Sequence, residues 1–137
     1  MDVENAVYPT HSRVEALMAD TSGGPVVMLN LLKFRAKAVY ADGRASELTG
    51  RQAYDLYAAA MQKVIEEHHG RLLFGGDIAA LVIGDVGDLW DTCVLVEYPS
   101  AAAFAAIVTS PEVTEIGVHR AAGLEGQLLI RVTQLGL

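Results

Sequence analysis

The sequence contains one cysteine, four prolines and few basic side chains, and each scarcity excludes a class of protein. A single cysteine, Cys93, excludes a disulfide within the chain and favours a reducing compartment, the cytoplasm. Ten lysines and arginines against seventeen acidic residues give a net charge of −7, which disfavours nucleic acid and membrane surfaces as partners. Residues 1–4 lack the basic start of a signal peptide. The longest charge-free stretch, residues 98–111, is too short to span a bilayer.

Common catalytic motifs are also absent. The chain has no dinucleotide-binding glycine fingerprint, no P-loop, no nucleophile elbow and no zincin helix motif. Its four histidines form no metal-ligand pattern, because adjacent helical residues such as His68 and His69 point about 100° apart. Cys93 lies in an apolar strand with no neighbouring cation, so we interpret it as a small core residue. The sequence therefore predicts neither a cofactor nor a metal.

A strand at residues 25–34 is apolar on both faces. Val26 and Met28 lie on one side with Leu32, whereas Leu29 and Leu31 lie on the other. A sheet covered by helices on one face needs only one apolar face. The second apolar face predicts a further cover, most simply a second copy of the chain in a homodimer.

The remaining elements follow from periodicity, caps and breakers. Thr49 with Gln52 is typical of a capping box that opens the longest helix. That helix has a buried stripe of Tyr54, Tyr57, Met61, Val64, Ile65 and His68. The predicted order is a leading helix within 10–20, a strand over 25–34, a long loop over 35–49, a helix over 50–69, strand pieces over 71–74 and 79–83 joined by a glycine kink, a strand over 92–98, helices over 101–108 and 111–123, and a last strand over 128–135.

This order predicts one α+β domain over residues 1–137, in which residues 1–23 are a leading helical extension. The β-α-β-β-α-β pattern is the split βαβ, ferredoxin-like arrangement, with an antiparallel sheet and helices on one face. The open face of one such sheet can pack on that of a second chain. The result would be a dimeric α+β barrel with an interior cavity.

Several segments, taken together and in order, resemble the family catalogued as domain of unknown function 1330. The resemblance extends from about residue 24 to the end of the chain, and it implies the dimeric α+β barrel superfamily. That superfamily includes cofactor-free monooxygenases, lactone isomerases, haem enzymes and proteins with no known activity, so the fold does not imply a function. The segments are 26–34, 54–57, 75–76, 90–91, 98–100 with Ala103 and Phe104, and 120–124.

Two polar residues interrupt apolar strands and are candidates for a binding site. Asn30 either ties strands or chains together or orients a ligand, because a buried amide must be hydrogen-bonded. Arg131 either anchors a carboxylate or pairs with Glu97 on a neighbouring strand.

Aromatic residues and one histidine complete the candidate site. Tyr54 and Tyr57 are either core residues or hydroxyl donors at the start of the long helix. Trp90 either anchors a turn or lines a pocket. His119 is the candidate catalytic base, although no carboxylate is placed beside it. We expect these residues to line a cavity between the first strand and the long helix, under the loop 35–49, on either side of the sheet.

Three functions fit this pattern. The first is an enzyme that acts on a small apolar or aromatic compound without a tightly bound cofactor. The second is a non-enzymatic protein that binds such a compound, and the third is a structural dimer whose barrel is filled with side chains. The first two differ in whether polar groups converge on one reactive point, and the third predicts no cavity.

Overall fold

The computed structural model describes residues 2–136, so Met1 and Leu137, the ends of the predicted domain, lie outside the described residues. Four helices and four strands follow one another in the predicted order. They are α1 (His11–Ala19), β1 (Val26–Phe34), α2 (Gly50–Glu67), β2 (Arg71–Asp77), β3 (Thr92–Tyr98), α3 (Ala101–Val108), α4 (Pro111–Gly123) and β4 (Leu124–Val132).

The four strands form one antiparallel sheet in the order β2-β3-β1-β4. The first strand is therefore central, with Leu29 opposite Leu95 of β3 on one side and Ile130 of β4 on the other. This arrangement confirms the predicted α+β class and the ferredoxin-like order.

The two faces of the sheet differ in what covers them. The main core contains Val26 and Met28 of β1 with Val96 and Tyr98 of β3, packed against the helices. Because successive side chains point to opposite faces, the odd positions of β1 and their register partners lie on the uncovered face. This open face contains Leu29, Leu31, Cys93, Leu95, Leu128, Ile130 and Phe74.

Side-chain caps fix the starts of the helices. Thr49 and Gln52 form the predicted capping box at the start of α2, while Ser100 and Ser110 cap α3 and α4. His68 was expected in the buried stripe of α2, but it is exposed and is the C-terminal cap residue. Within residues 2–136, no single helix is long and apolar enough to cross a membrane; only α3 and α4 together reach that length and composition, with a bend of 73° between them.

Two strand predictions are wrong, and in both the pairing with a neighbouring strand determines where the strand begins and ends. Residues 79–83 are not a strand, because the pairing of β2 with β3 ends where Asp77 meets Thr92. The last strand begins at Leu124 rather than at residue 128, and it ends at Val132, where its pairing with β1 ends opposite Val27. The glycine pair 75–76 lies inside β2, and the register shift falls between Leu72 and Phe74.

The helices α2 and α4 approach closely through two glycines. A Cβ atom on Gly123 would clash with the carbonyl oxygen of Gly50, and one on Gly50 would clash with the backbone of Arg35. The carbonyl of Gly123 also accepts a 2.8 Å hydrogen bond from the Arg35 N–H. This contact sets the distance between the two helices that wall the candidate site.

Candidate functional site

A cavity of about 820 Å³ lies between the helix-facing side of the sheet and the helices. Most of its lining side chains are apolar, among them Met28 of β1, Met61 of α2, Phe104 of α3 and Val113 of α4. The sequence left open which side of the sheet would carry a cavity, and this one is on the helix side, within one chain. A volume of several hundred cubic ångströms and an apolar lining are typical of small-molecule sites.

Residues 4–20, the leading segment, form the roof of the cavity. Ala6 pairs with Gln127 of β4 through two backbone hydrogen bonds of 2.9 and 3.1 Å. The indole N–H of Trp90 donates a 2.8 Å hydrogen bond to Oδ1 of Asn5. Helix α1 itself has no buried residue. The roof is therefore held by polar contacts of residues 5 and 6 and by Leu17, which is partly buried and packs against the main core.

Three tyrosines, Tyr54, Tyr57 and Tyr98, line the cavity and form the tyrosine cluster. The rings of Tyr54 and Tyr57 are 5.5 Å apart, and Tyr98 is only 5% exposed. Within the described chain, only the hydroxyl of Tyr40 has a hydrogen-bond partner among the tyrosines. Every fully buried side-chain nitrogen or oxygen in residues 2–136 has a hydrogen-bond partner, so these unpartnered hydroxyls are not fully buried. The three cluster hydroxyls therefore open onto the cavity with their donor capacity unused.

Burial raises the pKa of Tyr54, of Tyr57 and of Tyr98 above the ordinary value for a phenol. The positive charge of Arg120 opposes that rise in the pKa of Tyr54 and Tyr57, whereas the neighbouring phenols add to it in Tyr98. All three hydroxyls consequently stay protonated at neutral pH and act as donors. The guanidinium of Arg120 and the three phenols line the same cavity.

Arg120, in the last turn of α4, brings a positive charge to the cavity lining. Its guanidinium donates to Oε1 of Gln127 at 3.2 Å and to the carbonyl of Val7, and it stacks over the ring of Tyr8 at 5.6 Å. Every one of these partners is neutral. Among the described residues, no carboxylate lies within 4.0 Å of the Arg120 guanidinium.

Asn30 is part of a hydrogen-bonded network on the cavity wall. Its Nδ2 donates to the carbonyls of Val94 at 3.2 Å and Met28 at 3.3 Å, and its Oδ1 accepts from Gln127 at 2.8 Å. Asn30 thus ties β1 to β3 and β4 within one chain, one of the alternatives that the sequence left open. Its contribution to ligand orientation stays a prediction.

Arg131 lines the cavity at its edge, where it is partly exposed. It forms a 2.8 Å ion pair with Asp20, which anchors the end of the leading segment to β4. The alternative pairing with Glu97 is wrong, because Glu97 binds Arg71 at 3.0 Å across the β2–β3 edge. Strand register explains this: Glu97 lies opposite Arg71 on the open face, whereas Arg131 points to the helix side.

Trp90 and His119, the other two candidates, are not among the residues that line this cavity. Trp90 holds the leading segment through Asn5, as described above. The Nδ1 atom of His119 lies 2.7 Å from the hydroxyl of Tyr40, and their rings meet edge to face. Adjacent helical residues diverge by about 100°, so Arg120 faces the cavity while His119 faces away.

The loop 35–49 does not cover the cavity, contrary to the expectation. Its residues Tyr40, Ala38 and Leu48 pack against Ala53 of α2 and Ala122 of α4 in a second, smaller core. The loop therefore supports the outer side of the helix pair, and the leading segment takes the place that was predicted for it.

Sequence reasoning did not select Arg120, which adjoins the candidate His119 in α4, and it missed two strand residues of the lining, Tyr98 and Gln127. The signal for both lies in strand register, since Val26 opposes Tyr98 and Leu32 opposes Gln127 on the helix-facing side.

No group of three histidine, cysteine or carboxylate side chains in residues 2–136 is placed to hold a metal ion.

Comparison with known proteins gives a family and a fold. The model of a family described as a domain of unknown function, DUF1330, matches residues 38–133. A protein of unknown function from Rhodopseudomonas palustris is 32% identical, and the match covers 98% of this chain and all of that one, with a TM-score of 0.87. No curated protein sequence matches the chain significantly.

More distant solved structures share the fold alone. A hydroxynitrile lyase from Passiflora edulis is 13% identical, with a TM-score of 0.57 over 83% of this chain and 96% of that one. A dimeric ferredoxin-like protein of unknown function from Thermobifida fusca is 12% identical, with a TM-score of 0.51 over 85% and 96% of the two chains. Identities this low carry no information about substrate or activity.

Proposed function

The chain belongs to the DUF1330 family, and from its cavity we propose that it is a homodimeric protein that binds a small, mostly apolar or aromatic compound. The observation that carries this proposal is the cavity of about 820 Å³, in which an apolar lining surrounds the unused hydroxyls of the tyrosine cluster. Apolar walls with a few convergent polar groups are the usual form of a small-molecule site. A purely structural dimer is disfavoured, because it predicts that side chains fill this space.

Homodimer formation is proposed through the open face of the sheet. That face presents Leu29, Leu31 and Leu95 without a covering helix, and Phe74 and Ile130 are 56% and 41% exposed. Contiguous apolar surface of this kind is typical of a protein interface. The dimeric description of the Thermobifida fusca protein supports self-association. The ligand cavity lies on the opposite side of the sheet, so each chain would carry its own site.

Catalysis is the second candidate, favoured by the convergence of Arg120 and three phenolic donors on one region. Such donors stabilise negative charge that develops on a substrate oxygen. His119 was the candidate base, but it faces Tyr40 rather than the cavity. Binding is therefore the better supported function, and an activity without a tightly bound cofactor remains the alternative. The single cysteine keeps the cytoplasm as the proposed location.

Titration with N-phenyl-1-naphthylamine, a neutral dye that fluoresces in apolar surroundings, tests the proposed function. We expect saturable binding of one dye per chain. The blocking variant is Gly117→Phe, because Gly117 lines the cavity and nothing lies within 4 Å of the position its Cβ would take. The matched control is Gly87→Phe, which adds the same side chain to open space in an exposed loop.

The expected result is loss of saturable binding in Gly117→Phe and unchanged binding in Gly87→Phe. Circular dichroism of both variants verifies that each is folded. Absence of saturable binding to the native chain, or equal binding by the two variants, would overturn the proposal.

A further inference from the structure

We infer that the ligand of this cavity carries a carboxylate, which the guanidinium of Arg120 and the hydroxyls of the tyrosine cluster receive. This inference rests on the proposed function and goes further, because it names the polar end of the ligand. The apolar walls described above would hold the body of the same molecule.

The lining of the cavity differs in charge from the chain as a whole. The chain as a whole has a net charge of −7, yet the cavity lining contains three arginines, Arg13, Arg120 and Arg131, and one glutamate, Glu4. Of the three, Arg131 is already paired with Asp20. An acidic protein that gathers unpaired positive charge at one cavity favours an anionic occupant there.

The positive charge of Arg120 has no carboxylate partner among residues 2–136. Its partners in the described chain are the carbonyl of Val7, the amide oxygen of Gln127 and the ring of Tyr8, none of which is charged. A carboxylate that enters the cavity would find a half-buried guanidinium whose charge is not neutralised. A ligand carboxylate would supply the missing partner in a geometry that the planar guanidinium suits.

The hydroxyls of the tyrosine cluster also favour a carboxylate as the ligand's polar end. Only 5% of Tyr98 is exposed, and its hydroxyl has no hydrogen-bond partner among residues 2–136. Tyr54 and Tyr57 present hydroxyls in the same condition. A phenol can donate a hydrogen bond to a carboxylate oxygen, and such charge-assisted bonds are roughly twice as strong as neutral ones. Three donors and one cation in a single region match the acceptor-only chemistry of a carboxylate.

A pair of shape-matched probes tests the inference by isothermal titration calorimetry. The probes are 1-naphthylacetate and 1-naphthylacetamide, which share one aromatic body and differ in the charge of the head group. We expect the acid to bind the native chain at least about tenfold more tightly than the amide, because hydrogen bonds to a charged group are stronger than those to a neutral one.

Variants locate the preference. In Arg120→Gln we expect the acid to lose much more affinity than the amide, so that the two probes bind about equally. Arg44→Gln is the matched control, because it removes the same charge from an exposed loop where Arg44 pairs only with Asp42. The double variant Tyr54→Phe with Tyr57→Phe keeps the apolar shape and should weaken the acid more than the amide.

The outcomes separate this inference from the proposed function. Equal affinity of the two probes for the native chain, or an acid preference that survives in Arg120→Gln, overturns the inference and leaves the binding function standing. If neither probe binds, the binding function fails, and the inference fails with it. A preference that is lost equally in Arg44→Gln is a general charge effect and also overturns the inference.

Discussion

Gln127 donates a 2.8 Å hydrogen bond from its Nε2 to Oδ1 of Asn30 and so joins β4 to β1 on the wall of the cavity. Nδ2 of the same asparagine is hydrogen-bonded to the carbonyl of Val94 on the third strand. One side chain thus links three neighbouring strands where the pattern of apolar residues is interrupted. The network is fully within one chain and is complete without a ligand.

Replacement of Asn30 by alanine should destabilise the fold. The change removes three hydrogen bonds and leaves Gln127 without its acceptor, which predicts a loss of about 1–3 kcal/mol in the free energy of unfolding. Denaturant unfolding followed by circular dichroism measures it. An Asn30→Ala variant as stable as the native chain would contradict this account of the network.

The close approach of α2 and α4 makes Gly123→Ala unfavourable. Alanine normally stabilises a helix by about 0.8–1.0 kcal/mol over glycine, but here the added Cβ would meet the carbonyl oxygen of Gly50. We expect a loss of about 1–3 kcal/mol from overpacking. Gly117→Ala in the same helix is the matched control, because its Cβ would enter open space. Equal effects of the two substitutions on the unfolding midpoint would contradict the packing argument.

The carboxyl of Asp20 should titrate well below the ordinary range. Hydrogen bonds from the side chain and backbone of Ser22, together with the ion pair to Arg131, lower its pKa from 3.8 to about 2. Because the folded pKa is depressed, the stabilising contribution is present above pH 3.8 and is lost as the pH falls through about 2. Carbon-detected NMR titration measures this pKa directly. We expect Ser22→Ala and Arg131→Gln each to raise it, and an unchanged pKa in either variant would contradict this assignment of causes.

An aspartate on the open face should dissociate the proposed dimer. Leu95 lies at the centre of that face, opposite Leu29 and Phe74, so Leu95→Asp would bury an unpaired charge at a cost of several kcal/mol. Light scattering at micromolar concentration should give a dimer mass for the native chain and a monomer mass for the variant. Leu56→Asp, on an exposed position of α2, should remain dimeric. A monomeric native chain would disprove the dimer.

Thiol labelling of Cys93 provides a separate check on the same interface. Cys93 is half-buried on the open face, where it lies opposite Leu31. If a second chain covers that face, a thiol reagent at neutral pH should react slowly with the native protein and faster with the monomeric Leu95→Asp variant. Rapid labelling of native protein would show that the face is uncovered.

The element order could be predicted from the sequence because it depends on local signals. The capping box at Thr49, the serine caps before α3 and α4, and the apolar periodicity of β1 each act within a few residues. The errors occur where strand formation depends on whether a neighbouring strand is available for pairing. Residues 79–83 have the composition of a strand, yet Leu81, Val82 and Ile83 are 45%, 91% and 89% exposed because no strand pairs with them.

The candidate site was predictable only in part. Asn30, Arg131, Tyr54 and Tyr57 do line one cavity, and the cue was a polar side chain in an apolar strand or an aromatic one at a helix start. The roof could not be foreseen, because α1 lacks a buried stripe and its position depends on contacts with residues more than a hundred positions away, such as the Arg120 bond to Val7.

The leading segment has a consequence for access to the cavity. It roofs the cavity but lies outside residues 38–133, the stretch that the family model matches, and few of its side chains contribute to the core. Substitutions there can reshape the entrance at little cost in folding stability, whereas changes in Tyr98 or Met28 would disturb the core itself. Substitutions in the leading segment should therefore change access to the cavity more than they change the stability of the sheet and the helix pair.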